Sequence, residues 1–180
     1  MRIIAGKYRS RNLKTLKSNA TRPTLDKVKE AVFSKLGTYF DGGVCLDLFS
    51  GSGAIGLEAL SRGMDKAILV DKSYEAINII KENVKALEAD ATVFKMDYKA
   101  ALNKFQNEQF DLIYIDPPYH LHVYNDILKF IDEHQMLKEY GYIVCESLTE
   151  EEINKEYQEL VFEKEVSYGI MKVIYIRRKK

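Results

Sequence analysis

The sequence predicts an α/β fold: a mostly parallel sheet of seven strands with helices on both faces, an antiparallel hairpin at its C-terminal end and a small N-terminal extension. Three observations predict it. Between residues 44 and 146, apolar runs that end in an acid alternate with stretches of helical periodicity, the pattern of βα units whose strands are covered on both faces. The first such run, Val44-Cys45-Leu46-Asp47-Leu48-Phe49, opens into Gly51-x-Gly53-x-x-Gly56, a junction of strand, tight turn and helix. Near the C-terminus, two strand-like runs are separated only by Ser167-Tyr168-Gly169, and strands so close in sequence pair antiparallel.

Residues 1–23 read as a basic arm, a hairpin or extended segment. Arg2-Ile3-Ile4-Ala5 and Asn12-Leu13-Lys14-Thr15-Leu16 alternate partly and flank Gly6 and the polar stretch 7–11. Residues 24–180 then form one domain. Pro23 or Thr24 starts a helix with Asp26 in its first turn. Val28, Ala31, Val32, Phe33 and Leu36 give it an apolar stripe, Gly37 ends it, and it is expected to cover the sheet edge near the glycine loop. A helix over 54–62 follows the loop. The second strand, 66–70, is closed by Asp71, and the next helix runs through Ala76, Ile77, Ile80, Val84 and Leu87. The third strand, 91–96, ends at Asp97; the fourth, 110–115, at Asp116; the fifth spans 142–146. The hairpin pairs 159–166 with 170–176.

Net charge is zero, with 27 basic and 27 acidic residues, so the distribution matters more than the sum. From Met1 to Leu25 there are seven basic residues (Arg2, Lys7, Arg9, Arg11, Lys14, Lys17, Arg22) and no acid, and the chain ends Arg177-Arg178-Lys179-Lys180. A neutral protein with a basic end points to a polyanion bound at one edge. Tyr8, interleaved with the basic residues, suits nucleic acid. The two cysteines, Cys45 and Cys145, sit in apolar strands and read as buried thiols. No apolar run approaches the roughly 20 residues that span a bilayer, and no apolar core follows the basic N-terminus, so neither membrane span nor signal peptide is expected and a cytoplasmic location is.

Ligands of such sheets sit at the carboxyl ends of the strands, where Asp47, Asp71, Asp97 and Asp116 would all lie. Asp71 follows Gly51 by about 20 residues, placed to accept from ribose hydroxyls. A dinucleotide puts its pyrophosphate at the glycine turn, where Asp47 would repel it. S-adenosylmethionine has no phosphate and carries a sulfonium and an α-ammonium, so it is the first reading and NAD(P) the second. A parallel sheet ending in an antiparallel hairpin is the arrangement of class I methyltransferases and not of dinucleotide dehydrogenases. Phe49, Lys72 and Tyr98, neighbours of the rim acids, complete the candidate donor-binding set with Asp47, Gly51, Gly53, Asp71 and Asp97.

Asp116-Pro117-Pro118-Tyr119 directly follows a buried strand. Two prolines stiffen the backbone and remove two donors, leaving the Asp116 carboxylate and the Pro117 carbonyl as acceptors beside the flat face of Tyr119. Acceptors next to a stacking platform suit an exocyclic amine on a planar base. Such an amine is a weak nucleophile because its lone pair is delocalised; holding both its hydrogens favours a tetrahedral nitrogen, in line with the methyl group at roughly 3–3.5 Å. Asp116 or water takes the proton lost. Asp116 through Tyr119 are therefore the candidate catalytic residues. His120 and His122 read as surface residues, and no metal ligand spacing appears.

The glycine loop with Asp116-Pro117-Pro118-Tyr119 looks like the motif pair of amino-group methyltransferases acting on nucleic acids. Residues 2–11 and Arg22-Pro23-Thr24 through Glu30 resemble the opening of the RsmD family, which methylates a guanine at N2 in bacterial 16S ribosomal RNA. The resemblance covers essentially the whole chain and implies a Rossmann-like methyltransferase fold. It implies donor contacts at Asp47, Gly51, Gly53, Asp71 and Asp97, a target base at Asp116 to Tyr119, and Arg22-Pro23-Thr24 near both. S-adenosylhomocysteine is the product. Arg2, Lys7, Tyr8, Arg9, Arg11, Arg22, Pro23 and Thr24 are the candidate RNA-binding set, and the partner is 16S rRNA, within a small-subunit particle, bound by a monomer. Asp-Pro-Pro-Tyr also occurs in adenine-N6 DNA enzymes, so the base rests on the family likeness. The alternatives are an adenine-N6 or other amino-group methyltransferase on DNA, RNA or protein, and a non-catalytic RNA-binding module.

Overall fold

The computed structural model describes the backbone of residues 1–17 and 23–180 and the side chains of 1–17 and 26–180. One seven-stranded sheet has the order β3-β2-β1-β4-β5-β7-β6. Its strands are β1 (Val44–Asp47), β2 (Lys66–Asp71), β3 (Ala91–Lys95), β4 (Phe110–Ile115), β5 (Leu137–Leu148), β6 (Leu160–Tyr168) and β7 (Met171–Arg178). The pairings β1–β2, β1–β4, β2–β3 and β4–β5 are parallel; β7 runs antiparallel to both β5 and β6. The structure therefore has the fold of class I methyltransferases, with the C-terminal hairpin turning on Gly169 at φ 63°.

Alternation along the strands sorts the core into two layers. On one face, Cys45, Leu69, Leu112, Tyr114, Val144 and Tyr175 pack against α1 (Pro23–Leu36), α2 (Ala54–Ser61) and α3 (Tyr74–Leu87). On the other, Leu46, Val70, Ile113, Ile115, Cys145 and Ile174 pack against α4 (Tyr98–Phe105) and α5 (Tyr124–Glu133). Cys45 and Cys145 thus lie in different layers and are free thiols.

One expectation is corrected. α1 lies on the sheet face, where its Val28, Val32 and Phe33 are buried, and reaches the edge strand at its end, where Lys35 pairs with Glu163 of β6 at 2.9 Å. The basic C-terminal residues do not share the rim of the glycine loop. Arg177 pairs in register with Tyr142, near the start of the paired length of β5, while Met171 pairs with Leu148 at the rim. Six residues of strand put the two ends roughly 20 Å apart.

The N-terminal segment folds back on itself and onto α2. Ile3 and Leu13 are buried in the same layer as Val28 and Leu57. Arg2 and Asn12 form an antiparallel bridge, and Ile3 N–H donates to the Arg11 carbonyl at 2.9 Å. Beneath it lies a buried ionic cluster. Glu58 of α2 accepts from Ile4 N–H at 3.0 Å, Ala5 N–H at 3.2 Å and Arg62 Nε at 2.9 Å, while Lys29 Nζ stands 3.3 Å away and donates to the Arg2 carbonyl at 2.6 Å.

Candidate active site

β1 ends at Asp47, and the chain turns through Gly51 and Gly53 into α2. Gly51 sits at φ +57°, and a Cβ there would meet nothing within 4 Å, so the loop leaves open space on its outer side. Ser50 fastens the loop to the neighbouring strand: its Oγ donates to the Asp47 carbonyl at 2.9 Å and accepts from Val70 N–H at 2.9 Å. Asp71, ending β2, accepts from Gly51 N–H and Ser73 N–H, both at 2.9 Å, so its carboxylate is oriented by backbone alone. Asp97 accepts from Ala100 N–H at 2.8 Å as the N-cap of α4. That cap positions Tyr98, whose ring lies 5.6 Å from that of Phe49.

A cavity of about 930 Å³ runs along this rim. It is lined by Asp47, Phe49, Gly51, Asp71, Lys72, Asp97 and Tyr98 and also by Asp116, Pro117, Pro118 and Tyr119. The strand ends bring both motifs to one wall. Gly53 stands behind the wall, its missing Cβ facing Leu69 Cδ1 at 3.3 Å. Of the candidate RNA-binding residues, Arg2, Lys7, Tyr8, Arg9 and Arg11 lie outside the cavity. Arg22 falls outside the described residues, as do the side chains of Pro23 and Thr24. The N-terminal segment reaches the cavity through Met1, Thr15 and Leu16, and α1 through Lys29.

The electrostatics of the wall are those of carboxyls with little water. Burial pushes the Asp47 carboxyl up to about 7; the Phe49 N–H opposes this, and the nearby Asp71 and Glu146 carboxyls add to it. Burial holds the Asp116 carboxyl well above the usual carboxylate range, with Glu146 and Asp47 pushing the same way. Burial also lowers the Lys29 ammonium, against the pull of Glu58.

Three functional neighbours escape a reading of the sequence. Glu146 lines the cavity beside Asp116; it closes the apolar run 142–146 as the other four rim acids close theirs, although β5 continues to Leu148. Tyr114, one turn of strand before Asp116, donates to Glu146 Oε1 at 2.6 Å. Asn83 of α3 donates to the carbonyls of Ser52 (2.9 Å) and Lys14 (3.0 Å) and accepts from Lys14 N–H at 2.8 Å, tying the N-terminal segment to the glycine loop. Nothing in the spacing around Asn83 signals that role.

Residues 1–177 match the family model described as "Conserved hypothetical protein 95". Among curated relatives, a Bacillus subtilis protein, YlbH, named as a candidate rRNA methyltransferase, is 44% identical over 99% of this chain and 100% of its own length. Ribosomal RNA small subunit methyltransferase D of Haemophilus influenzae is 34% identical over 82% of this chain and 78% of its own. The chain belongs to the RsmD family. Solved structures agree. A candidate methyltransferase of Escherichia coli, yhhF, superposes with a TM-score of 0.86 at 27% identity, covering 99% of this chain and 98% of that one. A Streptococcus pyogenes protein of the same architecture gives 0.77 at 37% identity over 83% and 94%. In this RsmD-family chain the glycine loop and Asp-Pro-Pro-Tyr face one cavity. Among the described residues, no group of His, Cys, Asp and Glu is arranged to hold a metal ion, and no helix is long and apolar enough to cross a membrane.

Proposed function

We propose that this chain transfers the methyl group of S-adenosylmethionine to the exocyclic N2 amine of a guanine in 16S ribosomal RNA. The observation that carries the reading is the single cavity joining Asp47, Gly51 and Asp71 to Asp116-Pro117-Pro118-Tyr119. Its volume lies within the range that encloses a nucleoside-sized ligand. The donor set fits S-adenosylmethionine: a backbone-oriented carboxylate, Asp71, for ribose hydroxyls; an open face at Gly51; the Phe49 and Tyr98 rings as an apolar wall; and the Asp47 carboxyl for positive charge. When bound, S-adenosylmethionine supplies an electrophilic methyl group.

The protein's own residues supply position and acceptors. The Pro117 ring, buried, and the exposed Pro118 hold the loop after β4 rigid, so the Asp116 carboxyl and Pro117 carbonyl converge on one amine. Tyr119, half-buried at the cavity, offers a face for the base. Neither step needs a charged intermediate on the protein: the work is orientation and removal of one proton. Outside the cavity, Lys7, Arg9 and Arg11 give the exposed N-terminal segment its charge for phosphates. Relatives named as small-subunit ribosomal RNA methyltransferases support the RNA class, and the guanine follows from the family likeness.

The test is tritium transfer from labelled S-adenosylmethionine to bacterial small-subunit particles lacking their native base methylations, followed by nuclease digestion. Label in N2-methylguanine of 16S RNA is expected. Label in N6-methyladenine would keep the donor site and overturn the base. RNA affinity without any transfer would favour a binding module.

A further inference from the structure

Asp116 has a partner that its own sequence neighbourhood does not reveal. β4 and β5 run parallel with Ile115 opposite Cys145, so the next residues on each strand, Asp116 and Glu146, are level with one another. Both project to the face that carries Tyr114 and Val144, two residues earlier on each strand. Both line the cavity on adjacent parallel strands, close enough for one carboxyl to donate to the other, and burial together with the charge of Glu146 raises Asp116 well above the usual carboxylate range.

Glu146 is held from two sides. Tyr114 Oη donates to its Oε1 at 2.6 Å, and Tyr124 Oη donates to its backbone carbonyl. The residue is buried yet lines the cavity. Among the described residues, the titratable groups near the pair are Asp47 on β1, Tyr114 on β4, Tyr124 on α5, Cys145 on β5, Tyr175 on β7 and, lining the same cavity, Lys29 on α1. Lys29 is engaged by Glu58 and the Arg2 carbonyl. Among the described residues facing the pair, the one cation is thus already engaged, and nothing there offsets the two like charges.

We propose that Glu146 is a positioning residue for the proton-accepting step: its carboxylate, fixed by Tyr114, accepts the proton that Asp116 carries, so that Asp116 turns its unprotonated oxygen to the exocyclic amine. The inference rests on the methyl-transfer reading above. In the step, the nitrogen–carbon bond forms as the sulfur–carbon bond of the donor breaks, leaving a neutral thioether. The nitrogen's surplus proton passes to the Asp116 oxygen. The pair then holds two protons and returns one to water.

The test joins a titration of the free protein to kinetics. With side-chain carboxyls labelled with carbon-13 and the Asp116 signal identified by its loss in Asp116→Asn, the wild type takes up its first shared proton well above the ordinary carboxylate range. In Glu146→Gln the like charge is gone, and Asp116 titrates in one step at lower pH. The amide still donates to Asp116, so Glu146→Gln keeps kcat within about tenfold. Glu146→Ala, which leaves Asp116 unaligned, loses about 100-fold in kcat with little change in donor affinity. Tyr114→Phe removes a donor to the ionised pair and moves the upper step to higher pH. An Asp116 titration that moves in neither Glu146→Gln nor Tyr114→Phe, or a Glu146→Ala variant that turns over like the wild type, overturns the proposal. A wild type that transfers no methyl to particles overturns the function instead, and the titration still judges the pair.

Discussion

Asp47 shows at the scale of one residue how a binding site costs stability. Its carboxyl is raised from 3.8 to about 7. The folded protein therefore binds this proton more tightly than the unfolded chain, and the advantage, present below pH 4, is lost as pH rises to about 7. The loss is about 4 kcal/mol. Asp47→Asn is expected to melt several degrees higher than wild type at pH 8 and close to it at pH 4, by calorimetry, while its affinity for S-adenosylmethionine collapses. In the wild type, titration calorimetry should show donor affinity rising with pH up to about 7 and level above it, because a cation favours the ionised form. A donor affinity independent of pH between 5 and 8 would remove Asp47 from the donor site. Asp116→Ala is expected to lower kcat by at least about 1,000-fold while RNA affinity persists, since it deletes an acceptor and a proton route together.

At the scale of elements, the glycine loop divides its residues between fold and site. Gly51 faces open space at φ +57°, whereas a Cβ on Gly56, inside α2, would come within 2.2 Å of Leu69 Cδ2. Gly51→Ala should therefore melt only slightly lower than wild type but bind the donor at least tenfold more weakly. Gly56→Ala should do the reverse: it keeps donor affinity and loses about 1–2 kcal/mol, as overpacking outweighs the better helix propensity of alanine. Equal loss of donor affinity in both would mean that the loop merely connects two elements. The Glu58 cluster plays the matching part for the N-terminal segment. Glu58→Ala leaves Lys29 and Arg62 buried without their anion, and should cost about 3–5 kcal/mol. Hydrogen exchange should then accelerate first at the Ile4 and Ala5 amides, which lose their acceptor.

For the whole molecule, the two basic ends are not equivalent. The N-terminal segment runs from the cavity, where Met1, Thr15 and Leu16 line the wall, to the far end of α2, where Lys7 and Tyr8 N–H groups donate to Ser61. That is a track of about 12 Å, the length of the helix, along which exposed Lys7 and Arg9 can meet phosphates. Arg177 and Arg178 lie on β7, three strands across the sheet from β1, and face Glu163 and Glu159 at 3.6 and 3.8 Å. Reversing Lys7 and Arg9 to Glu should weaken binding to ribosomal RNA and reduce the slope of log affinity against log salt by about 2. Reversing Arg177 and Arg178 should leave that slope unchanged; the opposite result would move the RNA to the β7 side of the sheet.

The strand positions, the hairpin and the rim were legible because they are local. Apolar runs mark strands, an acid or glycine marks where each stops, and a three-residue gap allows only one hand of pairing between the last two. Asp47, Asp71, Asp97 and Asp116 each sit at the end of such a run, so their common edge follows from topology without any side-chain contact. What lay beyond the sequence depends on register and packing between segments far apart in the chain. Glu146 meets Asp116 only because Ile115 and Cys145 pair across two strands; Asn83 reaches Lys14 over 69 residues; Glu58 receives the amides of Ile4 and Ala5 because α2 is where the N-terminal segment docks. A buried polar group must find its partner wherever the fold brings one within reach. Chain spacing records the periodicity of each element, and the partners of its buried charges are decided only when the elements assemble.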